Sequence, residues 1–189
     1  MDARKLLDIM NLAERLKDTP RHCYTSGGRR ESVAEHSWRI TLMAYFVKDE
    51  FPEADMHKIM TMCVIHDLGE LFTGDIPTFD KTEEDEEREE RLLSDWVDSL
   101  PEPYSTELTA LYREMEERQT LEAKIYKAMD SLEAIIQHNE SDIKTWAENE
   151  YSLNMTYGVD KVAFSDYLKE VRHLMQEDTL AKIEKEKAL

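Results

Sequence analysis

His66 and Asp67 stand side by side at the end of an apolar run, in Cys63-Val64-Ile65-His66-Asp67-Leu68-Gly69-Glu70. An imidazole and a carboxylate are costly to bury there unless something pairs with them, and a divalent ion would do so. His36, in Ala34-Glu35-His36-Ser37, and Asp130, in Lys127-Ala128-Met129-Asp130-Ser131, extend the set to two nitrogen and two oxygen donors. Divalent ions of the transition series accept that mixture. Two or more coordination positions would stay open for water and a substrate oxygen, as catalysis requires. Taken singly, a histidine on an apolar helix face is more often a core side chain than a ligand. Glu70 follows His66 by four residues and Asp67 by three, so one helix would carry all three on one face. A carboxylate beside a bound ion can orient or deprotonate water, although spacing alone favours a surface carboxylate near a helix end. Asp75 follows Gly74 in a turn, where Asp is common because it hydrogen-bonds its own backbone.

The elements that must position these residues read as helices. Residues 2–17 carry Leu6, Leu7, Ile9, Met10, Leu12 and Leu16 at helical spacing and stop at Asp18-Thr19-Pro20. Residues 18–31 read as a polar loop holding Arg21, Arg29 and Arg30. Ser32-Val33-Ala34-Glu35 has the form of a capping box, opening a helix over 33–51. A third helix spans about 55–72 and is broken by Gly74 and Pro77. Residues 82–100 begin with an acidic run suited to the start of a helix and continue into Leu92, Leu93, Trp96, Val97 and Leu100. Further helices are expected at about 105–116 and 120–139, and two more over 143–187, divided near Tyr157-Gly158. No strand and no internal repeat is expected. The fold class is all-α, in a single domain over 1–189.

Composition narrows the function. The chain has 24 Lys+Arg against 42 Asp+Glu, a net charge of −18. That surface repels nucleic acid polymers and anionic membranes, leaving a small anionic substrate held by locally concentrated positive charge. Five Gly and five Pro are too few for a loop-rich β fold. Cys23 and Cys63 form no CxxC pair and read as a buried small residue and an incidental thiol. No leader and no long apolar span is apparent, so a soluble cytoplasmic protein is expected. Trp146, Tyr151 and Tyr167 leave room for a helical homodimer face.

The order His36…His66-Asp67…Asp130 resembles the metal signature of the HD-domain phosphohydrolase superfamily. Glu31-Ser32-Val33-Ala34-Glu35-His36 is similar to its first-histidine motif. The stretch from His66 through Thr73-Gly74-Asp75-Ile76-Pro77-Thr78 is similar to its second, in the branch containing bacterial 5′-deoxynucleotidases. The resemblance covers about residues 5–140 and implies an HD-domain helical bundle. It implies one divalent metal (Mn, Co, Fe, Ni or Zn) on His36, His66, Asp67 and Asp130. One metal is implied because no histidine lies between His66 and Asp130. It assigns catalytic roles to Glu70 and Asp75, the latter protonating the leaving 5′-oxygen or contacting the sugar. It gives Arg21 a phosphate-binding role, matches Lys81 to a lysine of the same branch, and leaves Arg29 and Arg30 as further phosphate candidates. His22 stands where that branch has an aromatic residue that helps exclude ribose, which weakens the expected 2′-deoxy preference. The implied activity is removal of phosphate from (2′-deoxy)nucleoside 5′-monophosphates. The alternatives are an HD phosphohydrolase for another phosphoester, a non-catalytic nucleotide-binding HD module, and a helical protein with a purely structural ion.

Overall fold

The computed structural model describes residues 1–188. Helix α1 (Ala3–Ala13) is capped by Asp2, whose carboxylate accepts from the Lys5 amide, and runs on through a 3₁₀ turn at Glu14–Lys17. Two short antiparallel strands follow, β1 (Pro20–Tyr24) and β2 (Arg30–Ser32), with Pro20 opposite Ser32 and Tyr24 opposite Arg30. Then come α2 (Val33–Phe46), α3 (Met56–Ile65), the single turn α4 (Glu70–Thr73), α5 (Glu83–Asp98), α6 (Tyr104–Glu117), α7 (Leu121–Glu140), α8 (Glu150–Thr156) and α9 (Asp166–Lys187).

Helix α7 is the axis of the bundle. Its Ile125, Met129, Leu132 and Ile135 are fully buried against Ile40 of α2, Ile59, Met62 and Cys63 of α3, and Leu168 of α9. Area removed from water dominates the stability of such a core. The one side of α7 that departs from this apolar pattern faces α2 and β1, and there the polar residues gather. Among the described residues, no helix is long and apolar enough to cross a membrane.

Three expectations need correction. The segment expected as a polar loop over 18–31 holds a β-hairpin, β1 with β2, and so does contain strands. Its turn uses Gly28 at φ +82° and hydrogen bonds between Thr25 and Arg29; the strands are too short and polar to show alternation, so Gly27-Gly28 is the main sequence signal. The helix expected over 55–72 is broken after Ile65. The chain winds through i→i+3 bonds, from the Leu68 amide to the Ile65 carbonyl and from the Glu70 amide to the Asp67 carbonyl, before α4 begins. Tyr112 Oη donates to that same Ile65 carbonyl at 2.7 Å. A Cβ at Gly69 in this turn would lie 2.8 Å from Glu89 Cγ of α5, so any larger residue would displace that side chain. Finally, Trp146 is buried rather than on a dimer face, its indole N–H donating to the His138 carbonyl; Tyr151 is half-buried, and Tyr167 alone of that trio is exposed.

Candidate active site

The capping box is formed: Ser32 Oγ accepts from the Glu35 amide, and Glu35 accepts from the Ser32 amide. It fixes the start of α2 and places His36 one turn in, fully buried. His36 Nδ1 faces Glu133 Oε2 at 2.5 Å, which commits that nitrogen as donor and turns Nε2 toward Asp130 Oδ1 at 3.1 Å. His66, at the end of α3, donates from Nδ1 to the Cys63 carbonyl at 2.9 Å, so its Nε2 points to the same place. The two Nε2 atoms are 3.3 Å apart. Asp67 Oδ2 lies 2.9 Å from His66 Nε2 and 3.9 Å from His36 Nε2, and Asp130 Oδ1 lies 3.8 Å from His66 Nε2.

These separations suit a shared ion. Ligand atoms about 2.1 Å from one ion stand roughly 3.0–3.4 Å apart at neighbouring vertices and about 4.2 Å apart at opposite ones. The donors come from α2, from the end of α3 and the turn after it, and from α7, so the bundle's packing sets the geometry. Both carboxylates are half-buried, and desolvation alone would raise their pKa values. His66 holds Asp67 down to about 2, and Lys127 with the two imidazoles holds Asp130 well below the usual carboxylate range. Burial and Arg21 would both lower the His36 pKa, yet the bonds to Asp130 and Glu133 raise it to about 9. The point where the four side chains meet therefore favours positive charge.

A second layer of side chains supports the first. Glu133, fully buried on α7, takes His36 Nδ1 and Arg21 Nη1, the latter at 3.2 Å. Arg21 Nη1 also donates to the buried Glu31 at 2.9 Å. Lys127 Nζ binds the other oxygen of Asp130 at 2.7 Å. Such partners orient ligands and set their tautomers. Glu133, Glu31 and Lys127 were not singled out from the sequence. The available signal was a charged residue, Glu133, flanked by Leu132 and Ala134 and followed by Ile135 and Ile136.

Glu70 opens α4 and is buried, with Oε2 lacking any partner. Burial, then the charges of Asp67 and Asp75, push its carboxyl up to about 10. The turn at 66–69, rather than a continuous helix face, brings it to Asp67. Asp75 follows Gly74 at φ +78°, and its Oδ2 is also buried without a partner. Asp75 lines a cavity together with Arg21, His22, Phe79, Ile135 and His138. Beyond Nη1, the N–H groups of Arg21 have no protein acceptor among the described residues. His22 Nε2 is 2.7 Å from Glu150 Oε1, and its ring meets Phe79 edge-on.

The remaining candidates lie outside the cavity wall. Lys81 Nζ pairs with Glu89 of α5 at 2.9 Å. Arg29 is exposed and pairs with Glu35, and Arg30 is exposed over the Tyr24 ring. The expected net-positive loop is thus largely neutralised: of its three arginines, Arg21 alone reaches the cavity, and two carboxylates hold it.

Comparison with known proteins places this arrangement among relatives. A sequence profile described as HD domain matches residues 13–172. The chain is 35% identical over 142 residues to the 5′-deoxynucleotidase HDDC2 of Bos taurus, covering 73% of this chain and 68% of that protein. The Homo sapiens protein of the same name is also 35% identical over 142 residues, covering 73% and 69%. In fold, the chain is similar to a predicted metal-dependent phosphohydrolase from Magnetospirillum magnetotacticum, with a TM-score of 0.81 at 24% identity, covering 95% of this chain and 93% of that one.

Proposed function

We propose a phosphomonoesterase acting on (2′-deoxy)nucleoside 5′-monophosphates for this chain, which belongs to the HD domain family. The observation that carries the reading is the meeting of two imidazole nitrogens and two carboxylate oxygens beside two carboxyls, Glu70 and Asp75, that each have one buried, unpartnered oxygen. A structural ion would need the first four and gain nothing from the other two. The curated relatives carry the deoxynucleotidase name, which supports the substrate class.

His36, His66, Asp67 and Asp130 would hold one divalent ion, with Mn, Co, Fe, Ni and Zn all compatible with the donor set. When bound, such an ion supplies Lewis acidity toward a phosphoryl oxygen and acidifies water. The protein's own groups do the rest. Glu70, held protonated by burial and by Asp67 and Asp75 in the ion-free protein, would take a proton from the attacking water once a bound cation has ionised it. Asp75 faces the leaving 5′-oxygen, to which it gives a proton, or contacts the sugar. Arg21, clamped between Glu31 and Glu133, presents its remaining N–H groups to the phosphate, where a guanidinium fork suits two oxygens. His22 and Phe79 form the wall beside the nucleoside. Lys81, paired with Glu89 of α5, would add little net charge at the site. A reducing, cytoplasmic setting agrees with two buried, unpaired cysteines.

The test is phosphate release from a panel of nucleoside monophosphates and other phosphoesters, with each divalent metal added to chelator-treated protein. Turnover of 5′-monophosphates with a metal is expected. Metal-loaded protein that releases phosphate from none of them overturns the reading.

A further inference from the structure

A second convergence of ligand-type atoms lies at the wall of the cavity that Arg21, His22 and His138 line. Cys23 Sγ on β1 is 3.3 Å from His138 Nε2 on α7 and 3.8 Å from His22 Nε2. Glu150 Oε1, at the start of α8, is 2.7 Å from His22 Nε2 and 3.3 Å from His138 Nε2. The Cys23, His22 and His138 ligand atoms lie within 4.8 Å of one another, and the Glu150 oxygen stands against both imidazoles. We propose that His22, Cys23, His138 and Glu150 form a second, closed site for a zinc-class divalent ion, distinct from the one formed by His36, His66, Asp67 and Asp130.

The separations fit such an ion. Tetrahedral zinc, with sulfur at about 2.3 Å and nitrogen or oxygen at about 2.0–2.1 Å, spaces its ligand atoms roughly 3.3–3.6 Å apart. Three of the four recorded distances fall within about 0.2 Å of that range, and the fourth, between His22 and Glu150, is a hydrogen bond that an ion would replace. Thiolate with imidazole selects zinc-class ions over magnesium or calcium.

The ligands are also oriented from behind. Glu150 Oε2 accepts from the Ala147 amide at 2.5 Å, which leaves Oε1 for the cluster. The His138 ring abuts Trp146 edge-on. Cys23 and Glu150 are almost fully buried, whereas His22 is partly open to the cavity and so provides an entry path. Arg21 beside Cys23 opposes a cation, but Glu31 and Glu133 already balance its charge. Four protein ligands leave no open position, so the ion would tie β1, α7 and α8 together rather than take part in the reaction.

The test is titration of chelator-treated full-length protein with Co²⁺, following both stoichiometry and the near-ultraviolet thiolate-to-cobalt charge-transfer band. Two equivalents are expected, with the band present. Cys23→Ser and Glu150→Gln should each lose one equivalent, and Cys23→Ser should lose the band. Cys63→Ser should keep the band, and Asp67→Ala should keep the band while losing the other equivalent. A wild-type protein that binds cobalt without any thiolate band overturns the proposal and needs no folded variant. So does a band that survives Cys23→Ser. Neither result bears on phosphate release, so this inference and the proposed activity fail separately.

Discussion

His36 and Glu133 share a buried hydrogen bond of 2.5 Å, Nδ1 to Oε2, across the α2–α7 interface. The bond fixes the tautomer that leaves His36 Nε2 available to an ion. Glu133→Gln keeps the shape but offers a neutral amide. Metal affinity is expected to fall by about 10–100-fold, the usual cost of losing such a partner, with activity recovered at higher metal concentration. Metal-dependent activity curves for the two proteins check this. Unchanged affinity would show that Glu133 serves Arg21 rather than His36.

Asp67→Ala should remove both this ion and phosphate release. Asp67 supplies one of the two anionic donors, and the imidazoles without it hold a cation less well. Metal analysis of the purified variant, read beside the cobalt band described above, separates loss at this site from loss at Cys23. Full occupancy here with normal turnover would contradict the assignment.

Arg21→Ala should raise KM for phosphate esters, because each charge-assisted bond to a phosphate is worth about 1.5–3 kcal/mol. It also strips the cation from Glu31 and Glu133, so some loss of stability should accompany it. Arg21→Lys keeps the charge without the fork and should restore stability more fully than KM. Melting temperatures and kinetics measured together decide between a binding role and a purely structural one.

The helical architecture was legible because helices such as α2, α5 and α7 announce themselves with a cap and an apolar period, as in Ser32–Glu35 followed by α2. The four proposed ion ligands were legible because His66-Asp67 sits where an unpaired polar pair is costly. Glu133, Glu31 and Lys127 were not. Their roles depend on which neighbour burial assigns to them, and the partners His36 and Arg21 of Glu133 are about a hundred residues away in sequence. The hairpin was missed because Arg21, His22 and Cys23 are held by contacts to α7 and α8 rather than by strand propensity, which yields readily to tertiary context. For the same reason His138 and Glu150 gave no hint of converging on Cys23.

His22→Trp should increase discrimination against ribonucleotides. The His22 ring is held edge-on to Phe79 and bonded to Glu150, so it presents a polar edge to the cavity. A hydrogen-bonding imidazole can accommodate an added hydroxyl that a bulky ring would crowd out. The unmodified protein is expected to accept both sugars with a modest deoxy preference. Ratios of kcat/KM for matched ribo- and deoxyribonucleotides check it. Complete rejection of ribonucleotides by the unmodified protein would move the discrimination to another residue, with Phe79 the nearest candidate.

Glu70→Gln should retain metal and lose turnover by roughly 10²–10⁴-fold, the usual share of a general acid–base group. A second signature appears in the ion-free protein. Burial raises the Glu70 carboxyl to about 10 in the folded state, against about 4.3 in the unfolded chain. Between those values the folded state holds a proton that the unfolded state has released, so stability falls as pH rises. Glutamine cannot release that proton. The variant should therefore match the wild type near pH 4 and exceed it increasingly toward pH 9. His36, raised to about 9, gives both proteins a loss in the same direction, so the difference between them isolates Glu70. Urea unfolding of chelator-treated wild type and variant across that range reads it directly. A difference that stays constant with pH would mean that Glu70 is ionised in the folded protein, and that it meets the attacking water as a carboxylate from the outset.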